Sequence, residues 1–269
     1  MIRTLAREQK IVLSDSYMIG DTWKDVEAGR GAGCRTILLR RDYNRGTDAD
    51  HVVASIADAA QLVLSNMSNP NDGHVSSYLN EVQTIAAAID RAAVGRLATA
   101  LVDLRSRGGR LFLLGVGGSA GNASHAASDF RKVCGIEAYC LTDNVPELTA
   151  RINDEGWDSA YARWLEASRL SAKDAILVLS VGGGNPVHHV STTLVHAVDV
   201  AKDAGATVLG IVGRDGGYTA QRADACVLVP TVSGDRITPH TEAFQAVIWH
   251  LLVSHPLLQA HAMKWESLG

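Results

Sequence analysis

Aromatic residues are scarce in this chain. Three Phe, five Trp and six Tyr among 269 residues mean that the core must be built from aliphatic side chains. Positive charge is not in excess either, since 25 Lys and Arg stand against 29 Asp and Glu, for a net charge of −4. With no basic cluster, the electrostatic footprint of nucleic-acid or anionic-membrane binding is missing. Long hydrophobic runs are absent too: no stretch approaches the ~20 apolar residues that span a bilayer. The first residues, Met-Ile-Arg-Thr-Leu-Ala-Arg, lack a signal-peptide core. Cysteine is rare, and Cys34, Cys134, Cys140 and Cys226 show neither metal-type spacing nor the density of a secreted disulfide framework. These absences together point to a reduced cytoplasmic setting.

What is present is glycine, 25 residues of it, placed after short apolar runs. The chain is organised around Leu111-Phe-Leu-Leu-Gly-Val-Gly-Gly-Ser119, a buried-strand pattern closed by glycines and followed by small residues at helical spacing. Such a strand-to-helix turn exposes free N–H groups where an anion can sit. Gly115-Val-Gly-Gly-Ser-Ala120 is only an approximate dinucleotide fingerprint, with Asp143 near the ribose-acid position. Ala120 replaces the third glycine, and Ser119 supplies a phosphate-type donor.

Residues 1–65 alternate short strands and helices. Tyr17–Asp21 reads as a strand ending in an acid and Thr22–Ala32 as a helix stopped by Gly33; further strands are expected at 35–39 and 51–54. Residues 66–75, rich in Asn, Pro, Asp and Gly, read as a linker. From Ser76 a long helix with one apolar face is expected to 107, interrupted near Gly95 and ended by Gly108-Gly109. Strands at 111–114, 138–141, 175–179, 207–212 and 226–229 alternate with helices at 119–133, 157–170, 186–203 and from Pro239 onward. Asn185 is the expected N-cap and Pro186 the first residue of the third of these. The result is an α/β fold, a doubly wound five-stranded parallel sheet preceded by a small N-terminal α/β unit, with a ligand crevice at the strands' carboxyl ends.

Two resemblances sharpen this reading. Tyr17-Met-Ile-Gly-Asp-Thr-Trp-Lys-Asp25 through Thr36 resembles the last catalytic motif of haloacid-dehalogenase-type phosphatases, closest to the heptose-bisphosphate kind. The resemblance implies that Asp21 and Asp25 would help hold magnesium. The family's Asp-x-Asp nucleophile lies nearer the N-terminus than this chain reaches, so a truncated fragment without phosphatase activity is expected.

Residues 76–262 resemble a sugar-isomerase (SIS) domain, and within that class the phosphoheptose isomerases. The resemblance rests on Gly115–Ala120 with His125, Leu141-Thr-Asp143, Asn153-Asp154, Ser180–Asn185, Gly213–Gly217, and Asp235-Arg-Ile237 leading to His250. It implies interconversion of sedoheptulose 7-phosphate and a heptose 7-phosphate through an enediol. The family's helix-borne histidine and glutamate fall on His125 and Asp129, and its last-helix glutamine and histidine on Glu242 and His250. By resemblance Glu242, His250 and Asp129 are the catalytic candidates. His125, Asp129, Glu242 and His250 are the candidate ligands of a divalent metal, zinc first. Ser119, Asp143, Ser180, Gly182, Gly183, Gly184, Asn185 and Asp235 are the candidate substrate and phosphate contacts. Related isomerases are tetramers, so a homo-oligomer is expected.

This chain departs from the pattern at Val116, where an asparagine is usual, and at Val181-Gly182-Gly183, where hydroxyl side chains are usual. About four extra residues also separate Arg236 from His250. The alternative expectation is a sugar-phosphate-binding or assembly protein on the same fold. His188, His189 and His196 read as helix surface, and His240 and Gln245 stay undecided.

Overall fold

The computed structural model describes residues 2–66 and 70–261, and the chain divides into two units, Met1–Leu79 and Asn80–Gly269. The first begins with α1 (Ile2–Glu8) and holds a parallel sheet, β1 (Tyr17–Gly20), β2 (Arg35–Leu39) and β3 (His51–Val53), in that order. Thr22 and Asp25 form a reciprocal capping box that starts α2 (Trp23–Ala32), and Gly33, at φ 95°, closes it. α3 (Ile56–Asn66) follows.

The second unit is built on β4 (Leu111–Gly115), β5 (Ala138–Cys140), β6 (Ala175–Ser180), β7 (Thr207–Val212) and β8 (Ala225–Leu228). All are parallel, in the spatial order β5-β4-β6-β7-β8. Every residue of β4 and β6 is buried, which is why these strands read as continuous apolar runs rather than alternating ones. Two apolar layers cover the sheet. One carries Leu97, Leu101 and Leu104 of α5 (Arg91–Ser106), Phe130 of α6 (Gly118–Lys132) and Trp249 of α11 (Ile237–Val253). The other carries Tyr161 and Trp164 of α8 (Ala160–Ala167) and Leu194 and Val198 of α9 (Thr192–Asp203). α4 (Pro70–Ala88), α7 (Val145–Glu155) and α10 (Gly217–Arg222) complete the helices among the described residues. Each fully buried Leu or Ile contributes ~1.5–3 kcal/mol of transfer free energy. The order of strands reverses between β4 and β6, and the carboxyl ends of those two strands are where a ligand crevice forms.

Several expectations need correction. The helix expected over 76–107 is two. α4 ends at Ala88, and Asp90 caps α5 by accepting the Ala92 and Ala93 amides at 2.8 and 3.1 Å. Gly95 does not interrupt α5, because a glycine on an open helix face costs too little to break it. The expected linker is mostly helical, since α3 runs to Asn66 and α4 starts at Pro70, a favoured first-turn residue; residues 67–69 lie outside the described residues. α7, with Asn144 as its cap, was not expected, and the helix foreseen over 157–170 is a short 3-10 turn followed by α8. The helix foreseen from Pro186 begins only at Thr192, with consequences for the site.

Candidate active site

Two glycine loops meet at the carboxyl ends of β6 and β7. Gly183 has φ 71°, and a Cβ there would fall 1.9 Å from the Gly216 carbonyl oxygen. A Cβ on Gly217 would fall 2.2 Å from the Gly182 oxygen, so the two loops touch backbone to backbone and only glycine fits. The contact is fastened by hydrogen bonds. The Tyr218 amide donates to the Gly184 carbonyl at 2.9 Å, the Thr219 amide to the Gly183 carbonyl at 2.9 Å, and the Thr219 hydroxyl to the same oxygen at 2.8 Å. The Ser180 hydroxyl accepts the Gly183 amide at 3.0 Å, so this candidate phosphate donor also shapes its own loop.

Beside them, the turn after β4 passes Gly117 at φ 63° and enters α6 at Gly118. The buried Tyr161 hydroxyl donates to the Gly115 carbonyl and fixes the start of that turn. Between the three loops lies a cleft of about 560 Å³, bordered by Val116, Ser119, Ser180, Gly182, Gly184 and Asn185. Ser119 is 1% exposed and its Oγ has no hydrogen-bond partner among the described residues. An unpaired buried hydroxyl costs about 1–3 kcal/mol, which a bound anion would recover.

Asn185, expected to cap a helix, instead closes a small hairpin. It exchanges backbone hydrogen bonds with Val190 at 2.8 and 3.0 Å, and its Oδ1 accepts the Val187 and His188 amides at 2.9 and 3.0 Å. Ser191 rather than Asn185 therefore precedes α9, in a left-handed conformation at φ 49°, and it borders the cleft. His188, expected on a helix surface, borders the cleft from the hairpin, and Arg214 borders it from the β7 loop. Sequence reasoning missed all three as site residues. The signal was available in Asn185-Pro186, a dipeptide that favours a turn over a helix start.

The remaining candidates lie elsewhere. One His, Asp and His set comes together on α6 and α11: ligand atoms of His125, Asp129 and His250 lie within 4.8 Å of one another. His125 Nε2 is 3.8 Å from Asp129 Oδ2, and the two imidazole centroids are 5.6 Å apart. Both rings pack on the indole of Trp249, at 4.7 and 3.4 Å between centroids. His250 Nδ1 is 2.8 Å from the Ala246 carbonyl oxygen. A carbonyl can only accept, so Nδ1 carries a proton, which leaves Nε2 as the ring atom directed away from the helix backbone and available to a ligand.

Glu242 is not part of this set. Its carboxylate lies against Gly118, where a built Cβ would fall 2.4 Å from Oε2, two helical turns before His250. Asn122 ties the same stretch together by donating to the Glu242 carbonyl at 2.9 Å and to Gln245 Oε1 at 3.1 Å. The undecided Gln245 is thus fully buried, its Oε1 engaged by Asn122. His240 is also structural: its Nε2 lies 2.7 Å from Glu81 Oε2. Hydrogen bonds from Arg236 and then His240 hold the Glu81 carboxyl down at about 2. Asp143 borders a separate hollow with Ser128, Arg131 and Glu147, and Asp235 is exposed before α11.

In the first unit the two phosphatase-type aspartates are engaged locally. The Asp25 carboxylate accepts the Thr22 hydroxyl and amide at 2.7 and 3.0 Å, and its carboxyl is lowered, first by the Thr22 hydroxyl bond. Asp21 accepts the hydroxyl of Tyr43.

A five-stranded parallel sheet with glycine loops around a cleft at its carboxyl edge defines an α/β domain of the doubly wound, crevice-bearing kind. The SIS-domain family model matches residues 77–213, about half of the chain, and the chain belongs to that family. Residues 1–68 match the HAD-hydrolase-like family model. The chain is 32% identical over 198 residues to the lincomycin biosynthesis protein LmbN of Streptomyces lincolnensis, covering 70% of this chain and 68% of that protein. It is 30% identical over 185 residues to a phosphoheptose isomerase of a Roseiflexus species, covering 64% of this chain and 89% of the relative. The fold is shared with the phosphoheptose isomerase structure from Neisseria gonorrhoeae, at 24% identity and TM-score 0.58, over 67% of this chain and 95% of that one.

Proposed function

We propose that this protein is an aldose–ketose isomerase of a seven-carbon sugar phosphate, interconverting sedoheptulose 7-phosphate and a D-glycero-D-manno-heptose 7-phosphate. The observation that carries the reading is the buried, unpartnered Ser119 hydroxyl in a cleft at the sheet's switch point. Phosphoheptose isomerases among its relatives supply the sugar class.

The reaction moves one proton between neighbouring carbons. A base takes the proton from C1 of the ketose while an acid protonates the C2 oxygen, giving the enediol. The base returns the proton to C2, and the C1 hydroxyl loses its own to become the aldehyde. Glu242 and Asp129 are the proposed bases, and His250, through Nε2 when that atom carries a proton rather than a metal, is the proposed acid partner, with His125 orienting. The phosphate end is proposed to rest on Ser119, Ser180, Ser191 and the Gly182–Asn185 turn, with the α9 N-terminus facing it.

His125, Asp129 and His250 fit a divalent metal, because two imidazoles and one carboxylate converge and His250 leaves Nε2 available to a ligand. Such an ion, zinc first, would polarise a substrate oxygen. Glu242 would join that set only after its side chain left Gly118. The histidine set lies outside the cleft lining of a single chain, and Val247 and Leu251, 53% and 44% exposed, flank His250 on α11. We therefore also propose a homo-oligomer, a tetramer by analogy, that covers this face in the cytoplasm. The separation of cleft and histidines favours one second reading, a sugar-phosphate-binding protein without turnover. Incubation with sedoheptulose 7-phosphate, with and without added zinc, decides between them. Aldose formation supports the isomerase, and thermal stabilisation without product supports the binder.

A further inference from the structure

The β6 loop carries Val181, Gly182 and Gly183, none of which offers a side-chain donor to a phosphate dianion held there. Two nitrogen-bearing side chains border the same cleft from separate loops, the guanidinium of Arg214 and the imidazole of His188. Arg214 adopts φ 52°, a conformation that costs a non-glycine residue and that recurs at ligand sites. Its stem lies along Gly182, with Cδ 3.5 Å and Nε 3.9 Å from where a Cβ on that glycine would be, so the guanidinium rests at the cleft wall. His188 is presented by the hairpin closed by Asn185 and Val190, whose four hydrogen bonds fix the backbone at the cleft rim. The nearest acid on the cleft, Asp215, accepts the Gly217 amide at 3.2 Å. On the floor of the cleft the Ser119 hydroxyl is buried and unpaired.

We infer that Arg214 and His188 form a two-sided clamp for the phosphate dianion, the guanidinium supplying charge and the imidazole a ring N–H donor, where the β6 loop offers no side-chain hydroxyl. The inference rests on reading the cleft as the phosphate end of the sugar site. A guanidinium meets two phosphate oxygens at once, whereas hydroxyls contact them singly, so the clamp selects phosphorylated over unphosphorylated sugars. The hairpin at 185–190 is then a specificity element, because without it no imidazole reaches the cleft.

Calorimetric titration of the full chain with inorganic phosphate, and separately with sedoheptulose 7-phosphate, tests this without requiring turnover. Arg214→Gln is expected to weaken both by about 10- to 100-fold, the range for a lost charge-assisted contact. Arg214→Lys should recover part of the loss, and His188→Gln should weaken binding by a smaller factor. Arg214→Gly, which accepts the positive φ and keeps the loop relaxed, guards against misfolding and should match the glutamine variant. Phosphate affinity within twofold of the parent in both Arg214→Gln and His188→Gln would overturn the clamp, as would no phosphate binding by the parent. Weakened phosphate binding in a protein that turns over no heptulose phosphate would keep the clamp and remove the isomerase.

Discussion

Replacing Gly183 by alanine puts the loop architecture to a quantitative test. The new Cβ would sit 1.9 Å from the Gly216 carbonyl oxygen, which is backbone and cannot swing aside. The residue also holds φ 71°, where an L side chain costs ~1–2 kcal/mol. One of the two loops must retreat, and the bonds at stake are those from Thr219 at 2.9 and 2.8 Å and the Gly183 amide to Ser180 at 3.0 Å. Losing one or two of them at ~1 kcal/mol each brings the total to about 2–4 kcal/mol. For a domain of this size the melting temperature should fall by about 4–16 °C. Phosphate affinity should drop with it, since Ser180 and Gly182 border the cleft. The assay is a thermal melt with and without inorganic phosphate. A melting temperature within one degree of the parent, with phosphate stabilisation intact, would refute the interlocked-loop argument.

Gly121, on the open face of α6, is the converse case: a Cβ there meets nothing, so Gly121→Ala should stabilise by about 0.5–1 kcal/mol in denaturant unfolding. Asp174 is 2% exposed and bonds Arg110 Nη2 at 2.8 Å and the Ser171 amide at 2.9 Å. Asp174→Ala should therefore cost about 1.5–3 kcal/mol by removing the carboxylate partner of Arg110, whose guanidinium keeps the Ser168 and Arg169 carbonyls. Burial acts to raise the Asp174 carboxyl, but the bonds from Arg110 and Ser171 outweigh it and hold it below its ordinary 3.8. Its contribution is thus present above about pH 4 and lost as the pH falls further, so acid unfolding should begin at higher pH in Asp174→Asn than in the parent. Zinc uptake, followed by elemental analysis after dialysis, should disappear in His250→Ala, whereas Glu242→Gln should retain it because Glu242 stands apart from the histidine set.

The inner strands were legible because β4 and β6 are continuous apolar runs that the parallel sheet buries on both faces, while the edge strands β5 and β8 are short apolar runs that alternate in burial. Helix boundaries were less legible where a local side chain decides them. Asp90 divides α4 from α5 by capping, and Asn144 starts α7 in the same way, yet periodicity alone continues through the first and misses the second. Asn185 was recognised as a capping residue, but its Oδ1 serves the Val187 and His188 amides of a hairpin, so the helix starts six residues later. That one difference concealed Ser191 and His188. Arg214 was hidden for another reason: only the fold brings the β6 and β7 loops together. His125, Asp129 and His250 were named together through the resemblance, and their convergence in space depends on α6 packing against α11.

The central claim is isomerisation, and the direct measurement is proton exchange at the reacting carbons of sedoheptulose 7-phosphate in deuterated water, followed by NMR. The expected product is an aldose heptose 7-phosphate with deuterium at C2. The rate is expected to fall by about 10²–10⁴ in Glu242→Gln or His250→Ala. No aldose product and no exchange at C1, with or without added divalent metal, would contradict isomerisation.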